Sequence, residues 1–467
     1  MIAMTLRELA AVVGGVVVDG ALDTLVTAPA FLDSREVEVG GLFVAVAGEH
    51  VDGHDFAAAA VAAGATAALV ARRVGAPAVL VEDVQTSLGA LAGHLVRALP
   101  DLHVVGITAS QGKTTTKDLL AQVLERAGET VAPPGSFNNE WGLPLTVLQA
   151  TPSTRYLVLE LGARGRGHIS YLTSIAPVSV GIVLNVGQAH VGEFGSVTET
   201  AAAKGELVEA LPPTGVAVLN ADDDLVAPMR SRTTARVLTF GADAGADVAI
   251  TAVRLDELGR IEVCVVIGGT SYDLRLGLVG SHHAHNAAAA IAGGLALGLD
   301  PAAVVETLQG AGPRSRWRME VSESPTGVVV VNDAYNANPE SVQAALATLA
   351  EIGHRRTGAG RTFAVLGEMR ELGERAIAEH EAVGREAVRL DIDRLVVVGQ
   401  AARAIHRGAH QDASWAGESV CVDDADAAVA LLRGALRPGD VVLVKASRVV
   451  GLERVAAALL SETEAHR

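Results

Sequence analysis

Residues 106–117 read GITASQGKTTTK, a loop of small residues that closes on Gly112, Lys113, Thr114 and Thr115. These residue types in this order can hold the phosphates of a nucleotide. Backbone N–H groups and a helix N-terminus would face the anion. Lys113 would neutralise the β/γ oxygens, and the Thr114 hydroxyl would ligate Mg²⁺. The chemistry requires a strand before the loop and a helix after it. Residues 102–107 form an apolar run that reads as a buried parallel strand, and residues 118–127 carry an amphipathic helical pattern. One position departs from the general pattern: Ile107 stands where its first glycine would be. The bland alternative is a Gly/Ser loop with one solvated lysine. The strand and helix in the right places argue against it.

Other candidates fall at strand ends. Residues 156–161 form an apolar strand pattern that contains Glu160. A carboxylate at the carboxyl end of a strand beside the P-loop strand lies where doubly wound sheets bind ligands. Glu160 is therefore a candidate Mg²⁺ ligand, the alternative being a capping or ion-paired Glu. Residues 178–184 form another such strand, followed by NVGQAH, which puts His190 at the same edge. Lys204 follows small or apolar residues in a helical run at 197–211, where an isolated lysine would ordinarily snorkel. The Gly-, Pro- and Asn-dense stretch at 136–146 carries Asn138 and Asn139, two amides that could fix a polar ligand or make Asx turns. His282, His283 and His285 invite a metal reading, but neither a Cys nor a clustered carboxylate accompanies them. Ser34 and Arg35, and the Asp52 to Phe56 stretch, read first as ordinary turns and caps rather than as a site.

These groups need a sizeable scaffold. The chain has 467 residues, 49% apolar and 19% charged, enough for about three domains with substantial cores. A formal net charge of −17 argues against a nucleic-acid partner. An anionic substrate must then meet a local cluster of donors. Cys264 and Cys421 lie outside any metal-ligand spacing and fit a reducing cytosol. Arg7 and Glu8 interrupt the apolar start, which lacks a signal-peptide layout, and no long uninterrupted apolar run follows. Residues 1–101 read as a small α/β unit and 102–313 as a larger one. Residues 236–278 alternate apolar and polar residues, which suggests an antiparallel insertion on the central domain. Residues 314–467 form a third α/β unit, with polar groups again gathered at strand carboxyl ends.

The segments TASQGKTTTK, FNNEWGLPLT, LELGARG, NVGQAHVGEFG, AKGE, SHHAHNA, RME, NDAYNANP, LGEMRELG and LVKASR occur in one order across nearly the whole chain. Together the chain resembles the Mur ligases of peptidoglycan synthesis, and among them the MurF family, the UDP-N-acetylmuramoyl-tripeptide–D-alanyl-D-alanine ligases. The resemblance implies an α/β fold of three domains: an N-terminal UDP-substrate-binding domain, a central P-loop domain with a parallel-sheet core, and a C-terminal Rossmann-like domain that closes over the site. It implies ATP and Mg²⁺, two ions, with UDP-N-acetylmuramoyl-tripeptide and D-alanyl-D-alanine as substrates. A cytoplasmic monomer without an integral membrane segment is expected.

The resemblance also assigns roles. Lys113 and Thr114 would bind the phosphates and Mg²⁺, Glu160 would be the magnesium glutamate, and His190 the histidine of a second metal site. Lys204 matches a lysine that is carbamylated in several Mur ligases, and Asn286 matches the adenine-contacting asparagine. Arg318 and Asp333 would reach ATP across the closing crevice. Ser34 and Arg35 resemble the uridine-diphosphate contacts. Asn138, Asn139, Asn336, Asn338 and Lys445 belong to the peptide and dipeptide loops. Two positions depart from the family pattern. Ala109 replaces a Gly, which suits a tight loop only at negative φ. His283 replaces the first Asn of an HNxxN element, leaving Asn286 as the retained amide. The competing readings are a sister ligase adding a single amino acid or glutamates, and a P-loop binding protein without ligation.

Overall fold

A computed structural model describes residues 1–48, 51–133, 135–187, 196–355, 360–412 and 414–461. The chain builds three α/β bodies, each on its own main sheet. In the first, strands Val16–Val18, Ala78–Leu80, Ala67–Val70, Leu42–Val44 and Ala30–Phe31 lie in that order, parallel except for the first pair. Helix Leu6–Val13 starts on a capping box between Thr5 and Glu8. Helix Val84–Ala98 starts on Asp83, whose side chain accepts from Thr86 N. Its apolar face, with Leu88 and Leu91, shares one continuous core with Leu172 and Ile175 of the central body.

The central sheet has nine strands. Strand His103–Thr108 lies between Tyr156–Glu160 on one side and Val180–Val183 on the other, all parallel. Chain order reverses across this strand, so a crevice opens at its carboxyl end, where the loop at 109–112 begins. The strand interiors are buried and almost entirely apolar because helices cover both faces. The expected antiparallel insertion is corrected in extent. Strand Arg236–Gly241 pairs parallel with Val216–Asn220, and the start of Val248–Leu255 pairs parallel with Arg236–Gly241. Only Val248–Leu255, Arg260–Ile267 and Thr270–Val279 are antiparallel, and they extend the same sheet. Alternation along 260–279 reflects one buried and one exposed face, whereas 236–241 continues the parallel core.

The third body has six strands, with Glu320–Glu323 antiparallel at one edge and Val329–Asn332, Val441–Lys445, Thr362–Leu366, Arg394–Val398 and Glu418–Val422 parallel. Asn332 and Lys445 end adjacent strands and direct the following loops toward the central crevice. Among the described residues no helix is long and apolar enough to cross a membrane.

Candidate active site

Helix Lys113–Glu125 begins at the GKTTT segment itself, five residues before the amphipathic pattern at 118 suggested. The cause is Gly112, which caps the helix at φ +86, a left-handed conformation that glycine adopts freely. A Cβ there would lie 2.5 Å from Asn286 Oδ1, so the position has neither the backbone freedom nor the space for another residue. Ile107 is buried strand, paired with Glu160 and Ile182, so the sheet continues past the place where a first glycine would stand. Ala109 is not among the residues with positive φ, which removes the objection to a side chain there. Asn185, at the end of the neighbouring strand, fastens the loop: its Oδ1 accepts from Ser110 N and Gln111 N, both at 3.1 Å, and its Nδ2 donates to Gln111 O at 3.0 Å.

The loop opens onto a cavity of about 560 Å³ lined by the central and C-terminal bodies. Lys113 Nζ folds back onto Ala109 O at 2.6 Å. Burial pulls its ammonium down to about 8, against the opposing pull of Glu160 and with the help of Arg318. Lys204, 3% exposed on helix Val197–Glu209, has no hydrogen bond or ion pair among the described residues. Burial, and then the charge of Lys113, hold its amine well below the usual lysine range. Glu160 is fully buried at its strand end. Its Oε2 accepts from Ser136 Oγ at 2.9 Å, Asn138 Nδ2 donates to the same Ser136 Oγ at 2.9 Å, and Oε1 has no hydrogen-bond partner. Lys113 and Lys204 thus lie under the loop with one incompletely satisfied carboxylate nearby, and Arg318 reaches in from the facing wall. An orphaned buried carboxylate oxygen is suited to a hard cation.

The opposite wall comes from the C-terminal body. Arg318 Nη2 donates to Thr114 Oγ1 at 3.3 Å, and its guanidinium lies 4.1 Å from the Tyr335 ring centroid. Asp333 accepts from Met319 N at 3.2 Å and from Lys445 Nζ at 2.6 Å, so both carboxylate oxygens are engaged. Lys445 also donates to Asn336 O at 2.8 Å, and burial lowers its pKa against the pull of Asp333. His282 rests against His283, ring centroids 4.0 Å apart. Burial brings His282 to about 4, and it pushes His283 well below the usual imidazole range.

Most residues singled out in the sequence line this cavity: Gly112 to Thr115, Asn138, Asn139 and Lys204 on one side, with Asn286 beside the loop. Arg318, Asp333, Asn336, Asn338 and Lys445 line the other. Glu160 sits at the same edge but outside the lining. Ser34 and Arg35 are also outside it, and Arg35 pairs with Asp33. His190 lies outside the described residues. The two amides of the 136–146 loop divide the alternatives. Asn138 joins the Ser136–Glu160 chain, whereas Asn139 Oδ1 accepts from Trp141 N and Gly142 N and makes an Asx turn that starts helix Gly142–Val147. Asn338 likewise accepts from Ser341 N at the start of helix Pro339–Arg355. Two of the three histidines turn to different partners, His285 to Asp222 and His283 to Asn286, and among the described residues no three potential metal ligands converge. Sequence reading missed Ser136, Asn185 and Tyr335. Each is an ordinary loop or strand-end residue whose part depends on a neighbour distant in the chain.

Comparison with known proteins agrees with this geometry. Models of the Mur ligase family match in succession: the catalytic domain over residues 31–109, the middle domain over 107–294 and the glutamate ligase domain over 317–448. The UDP-N-acetylmuramoyl-tripeptide–D-alanyl-D-alanine ligase of Mycobacterium tuberculosis is 47% identical over 99% of this chain and 98% of its own length. A crystal structure of MurF from Acinetobacter baumannii superposes with a TM-score of 0.86 at 30% identity, covering 98% of this chain and 99% of that one. MurF from Thermotoga maritima in complex with ADP gives 0.77 at 32% identity, over 94% and 98%. The chain therefore belongs to the Mur ligase family, in its MurF branch.

Proposed function

We propose that this protein is an ATP-dependent ligase that joins D-alanyl-D-alanine to UDP-N-acetylmuramoyl-tripeptide. The observation that carries the reading is the crevice itself. A P-loop wall with Lys113, Lys204 and the buried carboxylate of Glu160 faces a second wall of Arg318, amides and a buried lysine, room enough for a nucleotide and a peptide end together. A carboxylate is a poor acyl donor, so the tripeptide carboxylate would attack the γ-phosphorus of ATP, giving an acyl phosphate and ADP. The amine of D-alanyl-D-alanine would then attack the acyl carbon, and phosphate would leave. Phosphoryl transfer depends on positioning and charge neutralisation. Lys113 and Arg318 supply positive charge from opposite walls, and closure of the walls keeps water from the acyl phosphate.

Mg²⁺ would be held by Thr114, by the free oxygen of Glu160 and by Lys204 once carbamylated, with His190 assigned to a second ion by resemblance. When bound, the ions supply neutralisation of the phosphate oxygens. Lys204 suits carbamylation because a neutral buried amine is the form that adds CO₂ and releases a proton. Asn286 and the neighbouring His283 fit the base end of the nucleotide, and Ser34 and Arg35 the uridine diphosphate. Asn138, Asn336 and Lys445 fit the peptide ends. Domain boundaries near residues 101 and 313 complete the proposal, together with action as a cytoplasmic monomer.

The test is phosphate release with UDP-N-acetylmuramoyl-tripeptide and ATP, measured with D-alanyl-D-alanine, with single amino acids and with no acceptor. Release that depends on the dipeptide is expected. Equal release with a single amino acid would move the protein to a sister activity, and nucleotide binding with no release would remove ligation.

A further inference from the structure

Lys117 and Asp118 lie on the P-loop helix one turn beyond Lys113 and Thr114, and they are only 1% and 5% exposed. Their side chains pair at 2.7 Å. Such pairs are rarely buried, and an apolar pair of similar volume would often be as stable. What distinguishes this pair is what else it holds. Asp118 Oδ2 accepts from Ser315 N at 2.8 Å and Arg314 N at 3.2 Å, and Oδ1 accepts from Ser315 Oγ at 3.2 Å. Lys117 Nζ donates to Pro133 O at 2.6 Å, Gly135 O at 3.1 Å and Ser315 Oγ at 3.3 Å. Two pieces of chain are thereby fastened to the back of the helix. One leads into Ser136, the partner of Glu160. The other is the joint between the central and C-terminal bodies, three residues before Arg318. Glu125 and Gln122 on the same helix hold that joint again, through the Arg314 guanidinium and Gly312 O.

Beyond the joint the backbone is strained. Trp317 has φ +60 and Met319 φ +48, left-handed values that cost bulky side chains energy and persist only when neighbours enforce them. The C-terminal body enforces them. Tyr335 N donates to Trp317 O at 3.2 Å, Arg448 stacks 4.2 Å from the Trp317 ring centroid, and Asp333 accepts from Met319 N. Arg318 is thus suspended between two anchors, Asp118 on one body and Asp333 on the other, with its guanidinium against Thr114.

We infer that the buried Lys117–Asp118 pair is a positioning device for Arg318, pinning the joint so that the guanidinium stands over the phosphate loop. The inference rests on the ligase reading, in which Arg318 faces the transferred phosphoryl group. A double-mutant cycle tests it. Asp118→Asn keeps the shape of the side chain but removes its charge. It is expected to lower kcat about 30-fold or more, as displacements near 1 Å do, with KM for ATP within about threefold because the loop itself is untouched. In an Arg318→Ala background the same change should cost less than about twofold, since residues acting as a unit are not additive. Equal losses in both backgrounds would make the pair merely structural and overturn the inference. So would wild-type kcat in Asp118→Asn or in Arg318→Ala. If Asp118→Asn does not fold, Ser315→Ala, which removes only the hydroxyl shared by the pair, decides by the same cycle. Failure of the wild-type chain to ligate is a separate result that overturns the ligase reading.

Discussion

Lys113 and Lys204 sit in the same cavity, and their surroundings prepare them for different tasks. Lys113 retains a proton near neutral pH and can meet phosphate, so Lys113→Ala should abolish turnover, by on the order of a thousandfold as for the loss of a charge-stabilising group, with an unchanged melting temperature. Near-native phosphate release would remove it from the mechanism. Its pKa of about 8 belongs to the free enzyme. The active form is protonated, so kcat/KM for ATP should fall as pH rises through about 8, and this limb should be absent in Lys113→Arg. A flat profile to pH 9 would contradict the assignment. Lys204 is buried without a partner among the described residues, and burial holds its amine well below the usual lysine range. Lys204→Ala should lose most activity and regain part of it with added short-chain carboxylic acids, which can replace a carbamate, whereas Lys113→Ala should not respond. Normal activity in Lys204→Ala would sink the carbamylation proposal.

At the scale of elements, the turn from strand His103–Thr108 into helix Lys113–Glu125 carries the site, and Gly112 is its hinge residue. Gly112→Ala would place a Cβ against Asn286 Oδ1 and force alanine into a left-handed conformation, which costs about 1–2 kcal/mol before the clash is counted. A melting temperature several degrees lower and a kcat/KM for ATP at least about tenfold lower are expected. A variant with wild-type values in both would show that the loop adapts. Asn139 and Asn338 each accept a backbone N–H at the start of the helix that follows. They act on the starts of helices Gly142–Val147 and Pro339–Arg355, where backbone N–H groups lack partners within the helix.

The whole molecule supplies what no single body contains. The phosphate loop belongs to the central body, and Arg318, Asp333 and Lys445 come from the C-terminal one. An acceptor bound in the crevice would therefore meet groups of both walls. D-alanyl-D-alanine should exceed L-alanine or D-alanine in kcat/KM by a factor of at least about 10³, because a shorter acceptor leaves buried polar groups unpaired. Comparable values for a single amino acid would refute this. Nucleotide that bridges the walls should also raise thermal stability, by about 2.7 kcal/mol at 100 times Kd.

The sequence by itself determined the elements and the residues that could do chemistry. Apolar strands, caps and the GKTTT turn are local signals, and the ordered motifs placed the chain among the Mur ligases over nearly its full length. Even there, periodicity started the P-loop helix five residues late, because the first turn, Lys113 to Lys117, is built of polar residues although Thr114, Thr116 and Lys117 are buried. Tertiary structure decided what each polar group faces. It separated Asn138 from Asn139, although the two are identical amides side by side. It tied both oxygens of Asp333 to Met319 and Lys445. It made Lys117 and Asp118, an unremarked pair within a helix, the junction of three segments up to about 200 residues apart. Hydrogen bonds and desolvation depend on which atoms are close in space, and for groups so distant in the chain only the packed fold brings them together.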